Sequence, residues 1–188
     1  IKYRHTWNII RLDGKYYHLD ATFDNSLGRS GSGTPEIRYD YFNLDDKAVF
    51  RDHEPLIAPA PACTDNSRFY YKEKKLSFTK TEDVYKRSLQ AAKKGKTLTF
   101  HWRGGYLTRE VLEELLDLMQ QAGAVKNKMA VVGLNWAQAV LRLHYVDSAE
   151  AGDENTEAAN GATGKKTHKA KIDVTMEDAN EGEQIETD

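Results

Sequence analysis

Cysteine is almost absent from this chain: Cys63 is the only one in 188 residues, so no internal disulfide can form and cysteine usage says nothing about the redox compartment. Long hydrophobic runs are missing too. Without an apolar stretch of about 20 residues, nothing in the sequence reads as a membrane-spanning helix. There is no phosphate-binding glycine loop, no zinc-finger spacing and no long basic stripe, which excludes the usual nucleotide and nucleic-acid binders. Gly104-Gly105 lacks the rest of any nucleotide fingerprint and reads as a turn. Proline occurs four times, always between residues 35 and 61. Residues 147–188 hold no Phe, Trp, Tyr or Leu and set twelve acidic side chains against four lysines, a formal charge of −8 within an overall −2. The body before them is therefore near +6. A tail of this kind buries too little apolar surface to offset the entropy of ordering and is expected to be disordered. The scattered lysines of the body, such as Lys72, Lys74, Lys75 and Lys80, read as a solvated face.

What the sequence does have begins at its start. Asp13-Gly14 joins two runs rich in aromatic and β-branched residues, a strong hairpin signal, because a type I′ turn needs positive φ at both central positions. Leu12 then faces Lys15, Ile10 faces Tyr17 and Asn8 faces Leu19; without a bulge, Trp7 faces Asp20 and His5 faces Thr22. Alternation puts Ile10, Leu12, Tyr17, Leu19 and Ala21 on one face and His5, Trp7, Ile9, His18, Asp20 and Thr22 on the other. His5 and Asp20 become diagonal neighbours, roughly 7–8 Å apart at the backbone, which brings an imidazole–carboxylate hydrogen bond within reach. Such a carboxylate fixes the tautomer and stabilises imidazolium, leaving the other ring nitrogen to take a proton from a nucleophile. The plainer reading, polar groups on the wet face of an amphipathic hairpin, fits the same spacing. His18 and Asp20 are also spaced like two metal ligands on a strand, but no third ligand is legible, so no metal site and no cofactor are expected.

His5-Thr6-Trp7-Asn8, the Asp-Gly hairpin, Tyr17-His18-Leu19-Asp20-Ala21-Thr22-Phe23-Asp24, Arg38-Tyr39-Asp40-Tyr41-Phe42-Asn43-Leu44-Asp45 and Arg51-Asp52-His53 follow one another in this order. Together they resemble the C-terminal half of a bacterial transglutaminase-like domain, from the papain-like superfamily with a Cys-His-Asp triad. The resemblance covers residues 3–66. It implies that His5 and Asp20 are catalytic, the first as base then acid and the second as its orienter, with Trp7 and Asn8 walling the substrate site. It further implies a thiol acyltransferase or amidase acting on a protein or peptide, at an exported or cell-surface location. The family's nucleophile precedes the histidine, at a helix start. With Ile1 only four residues before His5, the sequence is expected to be a fragment, inactive by itself. Cys63 sits in a loop after Pro61, without the helix start that lowers a thiol pKa, and is not expected to replace that nucleophile. The alternative is a non-catalytic transglutaminase-like binding or scaffold module at the cell surface.

Further along, residues 25–35 read as a Gly/Ser-rich connection. Residues 37–42 alternate as a third strand, and Asp45 is placed to cap a short helix through Val49 and Phe50. The extended proline segment 55–61 marks the boundary of the transglutaminase-like half, set at 1–66. Residues 67–146 read as a small module: a hairpin over Glu73-Lys74, a helix from Thr81 closed by Gly95, and a strand over 96–102. A helix capped by Thr108 follows, with Val111, Leu112, Leu115, Leu116 and Met119 as its apolar stripe, then strands over 129–132 and 137–146. The order ββαβαββ suggests two helices covering one face of a mainly antiparallel sheet. The expected fold class is thus α+β: a β-hairpin-centred half of a transglutaminase-like (papain-like) domain, then a sheet-and-two-helix module, then the acidic tail 147–188.

Overall fold

The computed structural model describes residues 4–29, 35–57, 61–148 and 173–177. The chain is α+β and divides into two compact units. The first draws on Ile1–Ser77, Asn135–Val140 and Met176–Asp188, the second on Phe78–Leu134 and Leu141–Thr175. The junction expected at residues 66 and 67 falls inside the first unit.

In the first unit, β1 (Asn8–Leu12) and β2 (Lys15–Leu19) form an antiparallel hairpin. Asp13 and Gly14 turn it with φ of 49° and 79°, the two positive values a type I′ turn requires. The register is the expected one: Asn8 opposes Leu19, Ile10 opposes Tyr17 and Leu12 opposes Lys15. The ladder stops there, and the expected pairs Trp7–Asp20 and His5–Thr22 do not form. Asp20 instead turns the chain into α1 (Ala21–Arg29), its carboxylate accepting the Phe23 N–H at 3.0 Å and its carbonyl the Asp24 N–H at 3.2 Å. The connection expected from Asn25 is therefore helical as far as Arg29; residues 30–34 lie outside the described ones. Gly28 belongs to that helix for a steric reason. A Cβ there would stand 2.1 Å from the carbonyl oxygen of Glu36.

β3 (Phe42–Leu44) pairs antiparallel with β2, so β2 is the central strand. It starts later than the expected 37–42, because the backbone of Tyr41 is engaged elsewhere. Its N–H donates to Asp24 and its carbonyl accepts from the Asp20 N–H, both at 3.0 Å. β2 buries Tyr17 and His18 alike, so the plainer alternative, polar groups on a wet face, does not hold for this strand. Asp45 caps α2 (Asp46–Val49) by accepting the Ala48 N–H at 2.8 Å. Where a hairpin over Glu73-Lys74 was expected, α3 (Tyr70–Glu73) forms. The amides of Glu73 and Lys74 bond back to Phe69 and Tyr70, and Lys75 turns the chain with φ of 56°. Phe23, Leu27, Tyr41, Leu44, Val49, Phe69, Tyr71 and Val140 make the core, each large side chain contributing about 1.5–3 kcal/mol by burial.

The second unit carries α4 (Thr81–Lys94), β5 (Leu98–Trp102), α5 (Arg109–Ala124), part of β4 (Ser77–Phe78) and most of β6 (Lys128–Asn135), β7 (Val140–Asp147) and β8 (Asp173–Met176), whose end residues Ser77, Asn135, Val140 and Met176 belong to the first. The strands form one sheet in the order β4-β5-β7-β6-β8, and α4 packs on α5. Gly95 closes α4 in the left-handed conformation, and the Thr108 hydroxyl accepts the Val111 N–H at 3.3 Å to open α5. Of the expected stripe, Leu115 and Met119 are fully buried; Val111, Leu112 and Leu116 are half-buried. β8 corrects the expectation of a wholly disordered tail, because residues 173–176 extend the sheet beside β6. The rest of the tail beyond Ser148, apart from Glu177, lies outside the described residues. Among the described residues, no helix is long and apolar enough to cross a membrane.

Candidate functional site

The site lies in the first unit, where β2 gives way to α1. Asp20 is 2% exposed, and its carboxylate accepts three hydrogen bonds. Oδ1 takes the Phe23 N–H, whereas Oδ2 faces His5 Nε2 at 2.5 Å and His53 Nε2 at 2.8 Å. His53 follows α2, and its Nδ1 faces Asp52 Oδ1 at 2.7 Å. Asp52 is held in turn by the Tyr41 hydroxyl at 2.5 Å and Gln138 Nε2 at 3.3 Å. The result is a continuous row, Asp52–His53–Asp20–His5. His53 and Asp20 are buried, while the His5 side chain keeps 13% of its surface in solvent. That ring stacks on Phe23 at 4.6 Å and lies nearly parallel to Trp7 at 6.4 Å.

The charges follow from these contacts. Burial works against imidazolium at His53, but hydrogen bonds to Asp20 and Asp52, reinforced by their charges, outweigh it and leave the pKa raised to about 9. Burial likewise works against the Asp20 carboxylate, and the donors His53, Phe23 and His5 more than compensate, so its pKa is lowered. Asp20 is thus an ionised carboxylate between two imidazoles. A carboxylate only accepts, so His5 Nε2 carries the proton, and in the neutral ring the lone pair belongs to Nδ1.

Both residues expected to be catalytic, His5 and Asp20, are therefore brought together. Trp7 lies beside them, its ring 4.9 Å from that of His53. Asn8, the other expected wall residue, is exposed at the start of β1 opposite Leu19. His18 goes elsewhere. Its Nδ1 accepts the Trp7 Nε1–H at 3.0 Å, and its Nε2 faces Asp46 Oδ1 at 2.7 Å. Both Asp46 oxygens lie 3.2 Å from the Cys63 N–H, so His18, Asp46 and Cys63 form a second cluster on the far side of Trp7 from His5 in the contact chain. Burial and the neighbouring Asp46 and Asp45 charges push the Cys63 thiol up to about 11. A buried thiol held protonated is no nucleophile at neutral pH.

Among the described residues, two groups bring metal-ligating atoms within 4.8 Å of one another: His5, Asp20 and His53, and His18, Asp46 and Cys63. They differ at the ring nitrogen turned away from the shared carboxylate. An indole N–H can only donate, so the Trp7 bond needs the lone pair of His18 on Nδ1, and a neutral His18 holding an ion through Nε2 would carry its proton on Nδ1 and lose that bond. The Nδ1 of His53 faces an acceptor instead, Asp52.

The sequence pointed to His5 and Asp20 and missed His53 and Asp52 as partners. The dipeptide Asp52-His53 carried the only signal, and its meaning depends on α2 returning the chain to Asp20 across 33 positions. Compared with known proteins, the chain matches no family model, no curated protein and no solved structure.

Proposed function

We propose that this chain carries the histidine–carboxylate half of a transglutaminase-like thiol acyltransferase or amidase acting on protein or peptide amides. The observation that supports it most is the 2.5 Å contact between His5 Nε2 and the buried, ionised Asp20. In this reading a thiolate attacks the amide carbonyl, the C–N bond breaks, and His5 imidazolium gives its proton to the departing amine. His5 then takes a proton from the water or amine that attacks the thioester, and the thiolate leaves. Asp20 holds the ring in its tautomer and offsets the imidazolium charge. The thiol is not Cys63, which is buried and protonated. The reading therefore requires a thiol other than Cys63.

The test is release of ammonia from a glutamine peptide by the natural protein that includes such a thiol. His5→Ala is expected to abolish turnover, and Asp20→Asn to lower it by roughly 10–10³ with the fold intact, less than a serine-protease triad loses because a Cys-His pair already rests as ions. Full turnover in both variants would sink the reading. The second reading is a transglutaminase-like scaffold without chemistry; it predicts peptide binding that both variants retain.

A further inference from the structure

The row through Asp20 has a property that proton transfer does not require. His5, Asp20 and His53 come from three separate stretches of the first unit, yet their Nε2, Oδ2 and Nε2 atoms converge within 4.8 Å. Two imidazoles and one carboxylate are borderline donors that suit Zn²⁺ and its neighbours in the transition series. A metal-bound histidine is neutral, with its other nitrogen protonated and resting on an acceptor. His53 meets that condition. Its Nδ1 faces Asp52 at 2.7 Å, and Asp52 is itself fixed by Tyr41 and Gln138. Asp20 is also prepared, because the Phe23 N–H engages Oδ1 and leaves Oδ2 as a single ligand oxygen.

From this arrangement we propose that His5, Asp20 and His53 bind one divalent ion of the zinc class, which takes the place of the protons now bridging the two imidazoles to Asp20. Ligand bonds of about 2.0–2.2 Å require the 2.5 and 2.8 Å contacts to open by less than about 1 Å. Three protein ligands leave a fourth position for water, on the side where His5 meets solvent. The proposed ion runs against the sequence expectation of no metal, which rested on finding no third ligand for His18 and Asp20. Occupied, the site removes His5 from proton transfer, so zinc would silence the chemistry proposed above; the binding itself does not depend on that chemistry.

The 188-residue chain, stripped by dialysis against a chelator, is titrated with Zn²⁺ by calorimetry and with Co²⁺ by visible absorption. One ion per chain is expected, with tetrahedral Co²⁺ bands and no thiolate charge-transfer band. His5→Gln, at the most exposed ligand, should weaken binding at least tenfold with the circular dichroism unchanged. Asp52→Asn should weaken it by about 10–100-fold, the usual loss when the partner of a ligating histidine is removed. Should Asp52→Asn not fold, His5→Gln decides alone. Cys63→Ala should bind like the parent. No heat or Co²⁺ spectrum at about millimolar metal would overturn the proposal. So would unweakened binding by His5→Gln, or a thiolate band abolished by Cys63→Ala. Because binding is read without turnover, an inactive protein that still binds zinc rejects only the catalytic reading.

Discussion

The two units solve the problem of the interior in opposite ways. Among the described residues, the first unit buries His18, Asp20, Asp24, Arg38, Asp40, Asn43, Asp45, His53, Asn135 and Gln138, whereas the second buries one polar side chain, Ser88. The second is instead filled by side chains such as Val84, Phe100, Leu115, Met119, Val132, Leu141 and Leu143. Hydrophobic burial is nearly independent of pH and direction; a buried hydrogen-bonded network depends on both. The first unit has therefore accepted desolvation costs that the second avoids. The contrast sets a buried polar network in one unit against apolar packing in the other.

Breaking one buried charge pair should give the largest effect. Arg38 bonds the buried Asp40 at 3.0 Å and the half-buried Glu177 at 2.9 Å, so Arg38→Met removes the cation from two carboxylates and should cost about 3–5 kcal/mol of unfolding free energy in urea titrations. Phe100→Ala in the second unit should cost a comparable 3–5 kcal/mol through a cavity. The two variants separate by pH, since only Arg38→Met removes a charge, one that opposes the raised pKa of the buried Asp24, and so only its loss should change with pH. A pH-invariant loss in Arg38→Met would erase the distinction between the units.

Next in size is the pH dependence of the parent. The His53 pKa is raised from 6.5 to about 9, so its contribution is complete below 6.5 and disappears as pH climbs through about 9. The stabilisation at stake is on the order of 3 kcal/mol. Unfolding midpoints measured from pH 6 to 10 should fall across that window, and His53→Gln should flatten the slope. An unchanged slope would mean that His53 is not the imidazolium of the row. On the acid side, the lowered Asp20 pKa adds stability above 3.8 that vanishes as pH drops through its folded value. Smallest is the response of Cys63, which should stay unlabelled by a thiol reagent at pH 8 and react once urea unfolds the chain. Rapid labelling of the folded protein would reopen the case for it as a nucleophile.

Legibility from sequence followed the same division. In the second unit, periodicity and caps placed α4, β5, α5, β6 and β7 to within a few residues, because an apolar interior is written as spacing. In the first, Asp13-Gly14 set the register of β1 and β2 and thereby brought His5 to Asp20. The same pairing rule failed beyond Leu19, because Asp20 is at once the partner of His5 and the cap of α1. Residues 25–29 were misread as connection because Asn25, Ser26 and Gly28 favour turns, yet Phe23 and Leu27 sit four apart and bury the helix face. His53 was beyond reach for a different reason. Its role is defined by contacts across 33 positions to Asp20, which no local pattern encodes.

The turn between β6 and β7 has a consequence for the order in which the chain becomes itself. Asn135 donates to Asp40 at 2.9 Å and Gln138 to the Ala48 carbonyl at 3.1 Å, so the first unit waits for residues made long after its own hairpin. During synthesis at about 5–20 residues per second, the stretch from Ser77 to Val140 takes several seconds to emerge. For that interval Asp40 and Asp52 lack donors that the finished protein gives them, and the unit that begins first is completed late. A ribosome stalled near residue 100 should accordingly display a β1–β2 hairpin sensitive to protease, and one stalled well past Val140 a resistant one.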